Sequence, residues 1–102
     1  MSREATFAVI VEFETTPENR QQALDEIGAY VDDFLSRQDG FLQSWLHCAA
    51  DGHTVVHHAL WRSEAQFRAA GEKARGHPAL PTVQRYHPSA RFFEVSRTFG
   101  SG

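Results

Sequence analysis

Phe7, Val9, Val11 and Phe13 occupy alternate positions between residues 5 and 14, in a stretch rich in β-branched and aromatic types. That period of two predicts a first strand with one side against a core. Thr16 followed by Pro17 reads as an N-cap with a first-turn proline, and Glu18 adds a negative charge where the helix dipole favours one. Leu24, Ile27, Val31, Phe34 and Leu35 then recur at three- and four-residue intervals, with Asp25, Glu26, Asp32 and Asp33 largely between them. The spacing predicts an amphipathic helix of about five turns ending near Asp39-Gly40.

Residues 41–49 and 54–62 read as two strands flanking Asp51-Gly52, a strong hairpin signal. Ser63-Glu64-Ala65-Gln66 is a capping box, predicting a second helix to about Arg75, where Gly76 and Pro78 stop it. Residues 77–89 carry Pro78, Pro81 and Pro88 and read as a turn-rich connection with one helical turn. Arg91 to Thr98 is the expected fourth strand, and the terminal Gly-Ser-Gly a frayed end.

The order βαββαβ is the split-βαβ plan of the α+β ferredoxin-like fold, an antiparallel four-stranded sheet with both helices on one face. His57, Ala59 and Trp61 alternate with Val56, His58 and Leu60, and the first strand is also apolar on both sides. An apolar face left open by the helices is expected to meet a second subunit, making a homodimer, with a patch covered by some other protein the alternative reading.

At 102 residues the chain is expected to be one domain over residues 1–102, without room for a separate cofactor-binding domain. Hydrophobic residues at 41% against 23% charged are an ordinary globular balance. The net charge is −3 and the basic residues are scattered, which argues against nucleic-acid or polybasic membrane binding. No apolar run exceeds the five residues from Phe7 to Val11, so no membrane span is expected. The opening Met-Ser-Arg-Glu does not read as a signal peptide, and Cys48 alone forms no internal disulfide. Both fit a cytoplasmic protein.

Nucleotide-binding and metal motifs of the GxGxxG, Walker, CxxC and HExxH types do not occur, so any catalysis must rest on a few side chains. The chain has six histidines, whose imidazoles titrate nearest neutral pH. His57 and Trp61 share one strand face, roughly 13 Å apart, with the small Ala59 between them. They read either as the floor of a flat cavity for a planar aromatic ligand, or as a core tryptophan beside a hydrogen-bonded histidine.

A strict two-residue turn at Asp51-Gly52 pairs His47 with Val56 and sends it to the face opposite His57, whereas a longer loop or a one-residue bulge is expected to reverse that. His58 faces away from His57, making the adjacent pair a poor metal site. His53, His77 and His87 lie in predicted turns and read as solvated. Cys48 reads as a small buried hydrophobe, and the acids of the first helix as a solvated face. Arg85 and Tyr86, before the last strand, read as closing a pocket mouth, with an ordinary surface charge the other reading of Arg85.

The run from Gly40 to His47, then Asp51-Gly52, Val55-Val56-His57-His58-Ala59-Leu60-Trp61-Arg62-Ser63-Glu64 and Phe67, resembles the antibiotic biosynthesis monooxygenase family. The likeness spans about 90 residues and is nearest to cofactor-independent, quinone-forming members of aromatic polyketide pathways. It implies a dimeric α+β barrel with a pocket in each subunit, and oxygenation of a phenolic tricycle without flavin, haem or metal. An anthrone that loses a proton becomes an electron-rich anion able to reduce dioxygen itself. The site then needs to hold the rings, assist deprotonation and stabilise negative charge.

Trp61 and His47 match positions that the family uses in its pocket, and Arg85 aligns roughly with a pocket arginine. His57 stands where close relatives have asparagine and Phe67 where they have tyrosine. Phe67 has no hydroxyl, so more of the polar work falls to His57. The haem-degrading branch is disfavoured because no histidine lies between Gln66 and Ala74; a flavin site stays open.

These readings converge on a homodimeric oxygenase acting on an aromatic substrate with dioxygen and no cofactor. His57, Trp61, His47 and Arg85 are its expected catalytic set, and Phe67, Trp45, Phe34 and Tyr86 its expected substrate contacts. Two other classes fit the same fold: a polyketide cyclase or isomerase moving protons through a histidine, and a non-catalytic ligand-binding dimer.

Overall fold

Alternation becomes burial in β3, Thr54–Trp61, where every second residue is buried and the others are half-buried. The computed structural model describes residues 6–100; Ala5 of the expected first strand and the Ser101-Gly102 end of the tail lie outside them. The other elements are β1 Phe7–Glu14, α1 Arg20–Asp33, β2 Phe41–Cys48, α2 Glu64–Ala74, α3 Leu80–Gln84 and β4 Ser89–Glu94. Strand order is β2-β3-β1-β4 with every pairing antiparallel, the ferredoxin-like plan.

Local chemistry explains most boundaries. Thr16 does cap a turn, its Oγ1 accepting from Asn19 N at 3.1 Å while Asn19 Oδ1 accepts from Thr16 N at 2.8 Å. This reciprocal pair closes a turn of its own, so regular helix starts at Arg20, later than expected. α1 stops at Asp33, and a 3-10 turn over Leu35–Arg37 carries the chain to Gly40, whose φ of +88° favours glycine. Ser63 caps α2 by accepting from Gln66 N at 3.2 Å, where the sequence predicts it.

The last strand departs most from expectation, beginning at Ser89 and ending at Glu94 instead of spanning residues 91–98. It pairs with β1 from Ser89 opposite Glu12 to Glu94 opposite Phe7. Val95 N bonds Thr6 O at 3.1 Å just beyond that pairing.

The hairpin loop is longer than two residues, since Ala49 N bonds Thr54 O at 2.9 Å and Gly52 turns with φ +80°. Its register still pairs His47 with Val56, as a two-residue turn would. The bulge in β2 lies at the far end, between Phe41 and Gln43.

Two buried clusters lie between sheet and helices. One gathers Phe13, Ile27, Tyr30, Val55, Val83 and Tyr86; the other Phe7, Val9, Ala59, Trp61 and Ala70. Val11 and Leu35 pack against both. No helix of the described residues is long and apolar enough to cross a membrane.

Candidate active site

Where the two clusters meet, sheet and helices leave a cavity of about 250 Å³. Val11 and Phe13 of β1 and His57 of β3 form its floor, under Ile27 and Tyr30 of α1. α2 contributes Phe67, Ala70, Gly71 and Ala74, an i, i+3, i+4, i+7 face on which the last three side chains are small or absent. Leu80, Val83, Gln84 and Pro88 close the remaining side from α3 and the turn before β4.

His57 is the polar exception in the floor. It pairs across the sheet with Val11 and Leu46 and is 5% exposed. Its Nε2 is the only buried side-chain nitrogen or oxygen among the described residues without a hydrogen-bond partner. Leaving such a group unpaired costs about 1–3 kcal/mol, which a ligand hydroxyl would offset. Burial, with a smaller contribution from the charge of His58, lowers the pKa of His57 from 6.5 to about 4. The ring is therefore neutral at pH 7 and can accept a proton.

Trp61 shares the helix-facing side of β3 but does not line the cavity. It is 1% exposed, edge-on to Phe41 at 5.3 Å and to Phe67 at 5.6 Å. Phe67 stands between it and the cavity's small-residue wall, so Trp61 supports that wall from behind. The sequence pairing of His57 with Trp61 on one face is correct, but the aromatic ring at the cavity is that of Phe67 and not the indole expected there.

His47 and Trp45 point away from the cavity. The observed register puts both on the open face, where Trp45 meets His58 at 5.0 Å between ring centroids and His47 meets it at 6.5 Å. The structure thus does not bring His47 to His57. Phe34 follows α1 and packs on His77 at 4.7 Å and Tyr30 at 5.6 Å, outside the cavity lining. His77, read as solvated, is half-buried by these rings, and its Nδ1 accepts from Ala79 N at 3.0 Å. Cys48, read as buried, is exposed on edge strand β2.

Arg85 and Tyr86 sit at a separate, shallow polar depression with Glu14, Thr16, Asn19 and Gln22. The Arg85 side chain is 62% exposed and lies 3.6 Å from Glu26. Tyr86 donates to Glu26 Oε1 at 2.5 Å, and its backbone oxygen accepts from Glu14 N at 2.7 Å. Burial and the Glu26 hydrogen bond raise the Tyr86 pKa, while that same bond is the main cause lowering the Glu26 pKa. Both side chains are thus occupied outside the cavity, because α3 ends one turn before β4 and turns them towards α1.

The sequence reading did not single out Tyr30, Gly71 or Gln84 as lining residues. The small-residue face of α2 was the available signal for Gly71. Among the described residues no group of three or more His, Cys, Asp or Glu side chains is arranged to hold a metal ion.

The sequence pattern of the antibiotic biosynthesis monooxygenase family matches residues 6–87. Tetracenomycin-F1 monooxygenase of Streptomyces glaucescens is 31% identical over 96 residues, covering 93% of this chain and 86% of that protein. The monooxygenase ActVA-Orf6 of Streptomyces coelicolor, solved in complex with Nanaomycin D, superposes with a TM-score of 0.81. It is 22% identical, over 96% of this chain and 94% of that one. A variant of SnoaB, a cofactor-independent oxygenase of Streptomyces nogalater, superposes with a TM-score of 0.74 at 18% identity, over 94% and 98% of the two chains. With the family pattern covering most of its length and a monooxygenase aligned along nearly all of it, this chain belongs to the antibiotic biosynthesis monooxygenase family and is an oxidoreductase.

Proposed function

We propose that this chain is a cofactor-independent monooxygenase that oxidises a planar anthrone-type phenol to a quinone with dioxygen. The observation that carries the reading is His57, a buried neutral imidazole with an unpartnered Nε2 in an otherwise largely apolar cavity. The names of its relatives, a tetracenomycin-F1 monooxygenase and a cofactor-independent oxygenase, support the same class.

In this reading the ring system lies along Phe67 and the small side chains of α2, with its reacting carbon near His57. Nε2 takes one proton from the ring CH2. A pKa of about 4 makes His57 a weak base in the free protein, but the anion it creates stabilises the imidazolium beside it and raises that value in the complex. The carbanion gives an electron to dioxygen, the resulting radical and superoxide join through a new C–O bond, and the peroxide anion takes the proton back from the imidazolium to give a hydroperoxide. Loss of the second C–H proton with cleavage of the O–O bond yields the carbonyl and one water. All the oxidising power comes from dioxygen, so the protein supplies position and a proton acceptor.

We also propose that the open sheet face meets a second copy of the chain. Trp45 and Phe93, 38% and 40% exposed, flank half-buried Leu60 and Ile10 on that face, and neighbouring exposed apolar side chains of this kind suit an interface.

Dioxygen uptake by metal-free, cofactor-free protein given dithranol, with mass analysis of the product, tests the reaction. Uptake with quinone formation that His57→Ala abolishes is the expected result. Saturable dithranol binding without uptake would overturn oxygenation and favour a non-redox role for the same cavity.

A further inference from the structure

Gly71 occupies the interior of α2, where glycine is among the weakest helix formers, and nothing local demands it: a Cβ built there meets no atom within 4 Å. Its backbone φ is not in the left-handed region, so no turn requires it either. Yet Gly71 lines the cavity that holds His57. Most of the lining is buried or half-buried, and only three lining residues are exposed: Gly71, Gln84 and Pro88. A residue that lines an enclosed space and is also exposed marks the place where that space opens. These three come from α2, from the end of α3 and from the turn before β4, so the opening lies between α2 and the late connection.

We infer that this opening is the mouth of the substrate site, and that Gly71, by lacking a side chain, sets the size of ring system the site admits. The inference rests on the proposed reading of the cavity as the substrate site. Its second, independent support is His57, buried to 95% and unpartnered at Nε2, which lines the same space. A volume of about 250 Å³ falls just below the ~300 Å³ at which small-molecule pockets usually begin. A polycyclic substrate therefore buries its reacting ring beside His57 and passes its far end between Gly71 and Gln84. The Gln84 amide is the one polar side chain at the mouth and suits a hydroxyl or carbonyl on that far end. The substrate class is a planar polycyclic phenol with an apolar reacting end and a polar trailing end.

Gly71→Leu narrows the mouth from α2 and Gln84→Phe narrows it from α3, while Gly71→Ala adds one methyl to open space. Calorimetric titration of the full chain under anaerobic conditions, with dithranol and with the single-ring resorcinol, separates mouth from interior. Both narrowing variants are expected to lower the ratio of dithranol to resorcinol affinity by about tenfold or more, with Gly71→Ala lowering it by less than Gly71→Leu. Thermal melts by circular dichroism confirm folding, and two variants from opposite sides keep the test open if one melts early. Size-selective loss in a protein that consumes no dioxygen would retire the oxygenase reading and leave the mouth standing. Unchanged ratios in both narrowing variants, with oxygenation intact, would retire the mouth and leave the oxygenase. Failure of wild type to bind dithranol overturns the inference outright.

Discussion

Tyr86 donates its phenolic hydrogen to Glu26 Oε1 at 2.5 Å, joining residues sixty positions apart. The bond ties the chain just after α3 to α1, and α3 with that connection supplies Val83, Gln84 and Pro88 to one side of the cavity. A charge-assisted hydrogen bond at a partly exposed acceptor is worth about 1 kcal/mol. Tyr86→Phe is therefore expected to lower stability by about that amount in urea unfolding, and Glu26→Ala by somewhat more, because it also loses the Arg85 and Gln22 contacts. The double variant is expected to lose less than the sum of the two, because the Tyr86–Glu26 bond is removed in each. Strictly additive losses would show that the two side chains act independently.

His57 links stability to pH. Its folded pKa lies below its unfolded value, so between about pH 6.5 and 4 the unfolded chain binds the proton more readily. Stability is thus held at neutral pH and falls as the solution is acidified through that window. His57→Leu removes the linkage. From pH 7 to pH 4.5 wild type is expected to lose about 2 to 3 kcal/mol relative to that variant, as read by urea unfolding at the two pH values. A constant gap between them would mean that His57 is not buried as a neutral ring. The acid limb of kcat/KM in the free enzyme is expected well below pH 6 for the same reason.

Trp61 contributes through packing. It is 1% exposed and holds Phe41 and Phe67 edge-on, so Trp61→Ala is expected to cost about 3–5 kcal/mol. Trp61→Phe should stay folded but leave Phe67 less firmly backed, weakening dithranol binding although residue 61 does not line the cavity. Unchanged affinity in Trp61→Phe would show that Phe67 is positioned without it.

The open sheet face predicts assembly. Wild type is expected to sediment as a dimer, and Trp45→Asp, which puts a charge beside His58 on that face, as a monomer. Phe99→Asp, at a residue 85% exposed and outside the sheet, is the matched control and should leave the dimer intact. A monomeric wild type, or a Trp45→Asp protein that remains dimeric, would rule out this face as the interface.

Much of this protein was determined locally and is readable in one dimension. Period-two burial in β3 placed His57 and Trp61 under the helices. The Asp51-Gly52 turn set the register that turns His47 to the other face, and Ser63 with Gln66 set the start of α2. In each case a few neighbouring residues carry the whole constraint. Other features depend on distant partners. β4 runs where it lies opposite β1, Ser89 against Glu12 and Glu94 against Phe7, and not over the apolar run of its own sequence. His77 is half-buried only because Tyr30 and Phe34 arrive beside it. Arg85 and Tyr86 turn to Glu26 because a proline-rich connection has no periodicity to aim them, leaving tertiary hydrogen bonding to decide. The cavity belongs to neither β3 nor α2 alone. It exists where His57, the small side chains of α2 and the late connection fail to fill the space between two core clusters, and that shortfall is a property of packing in three dimensions.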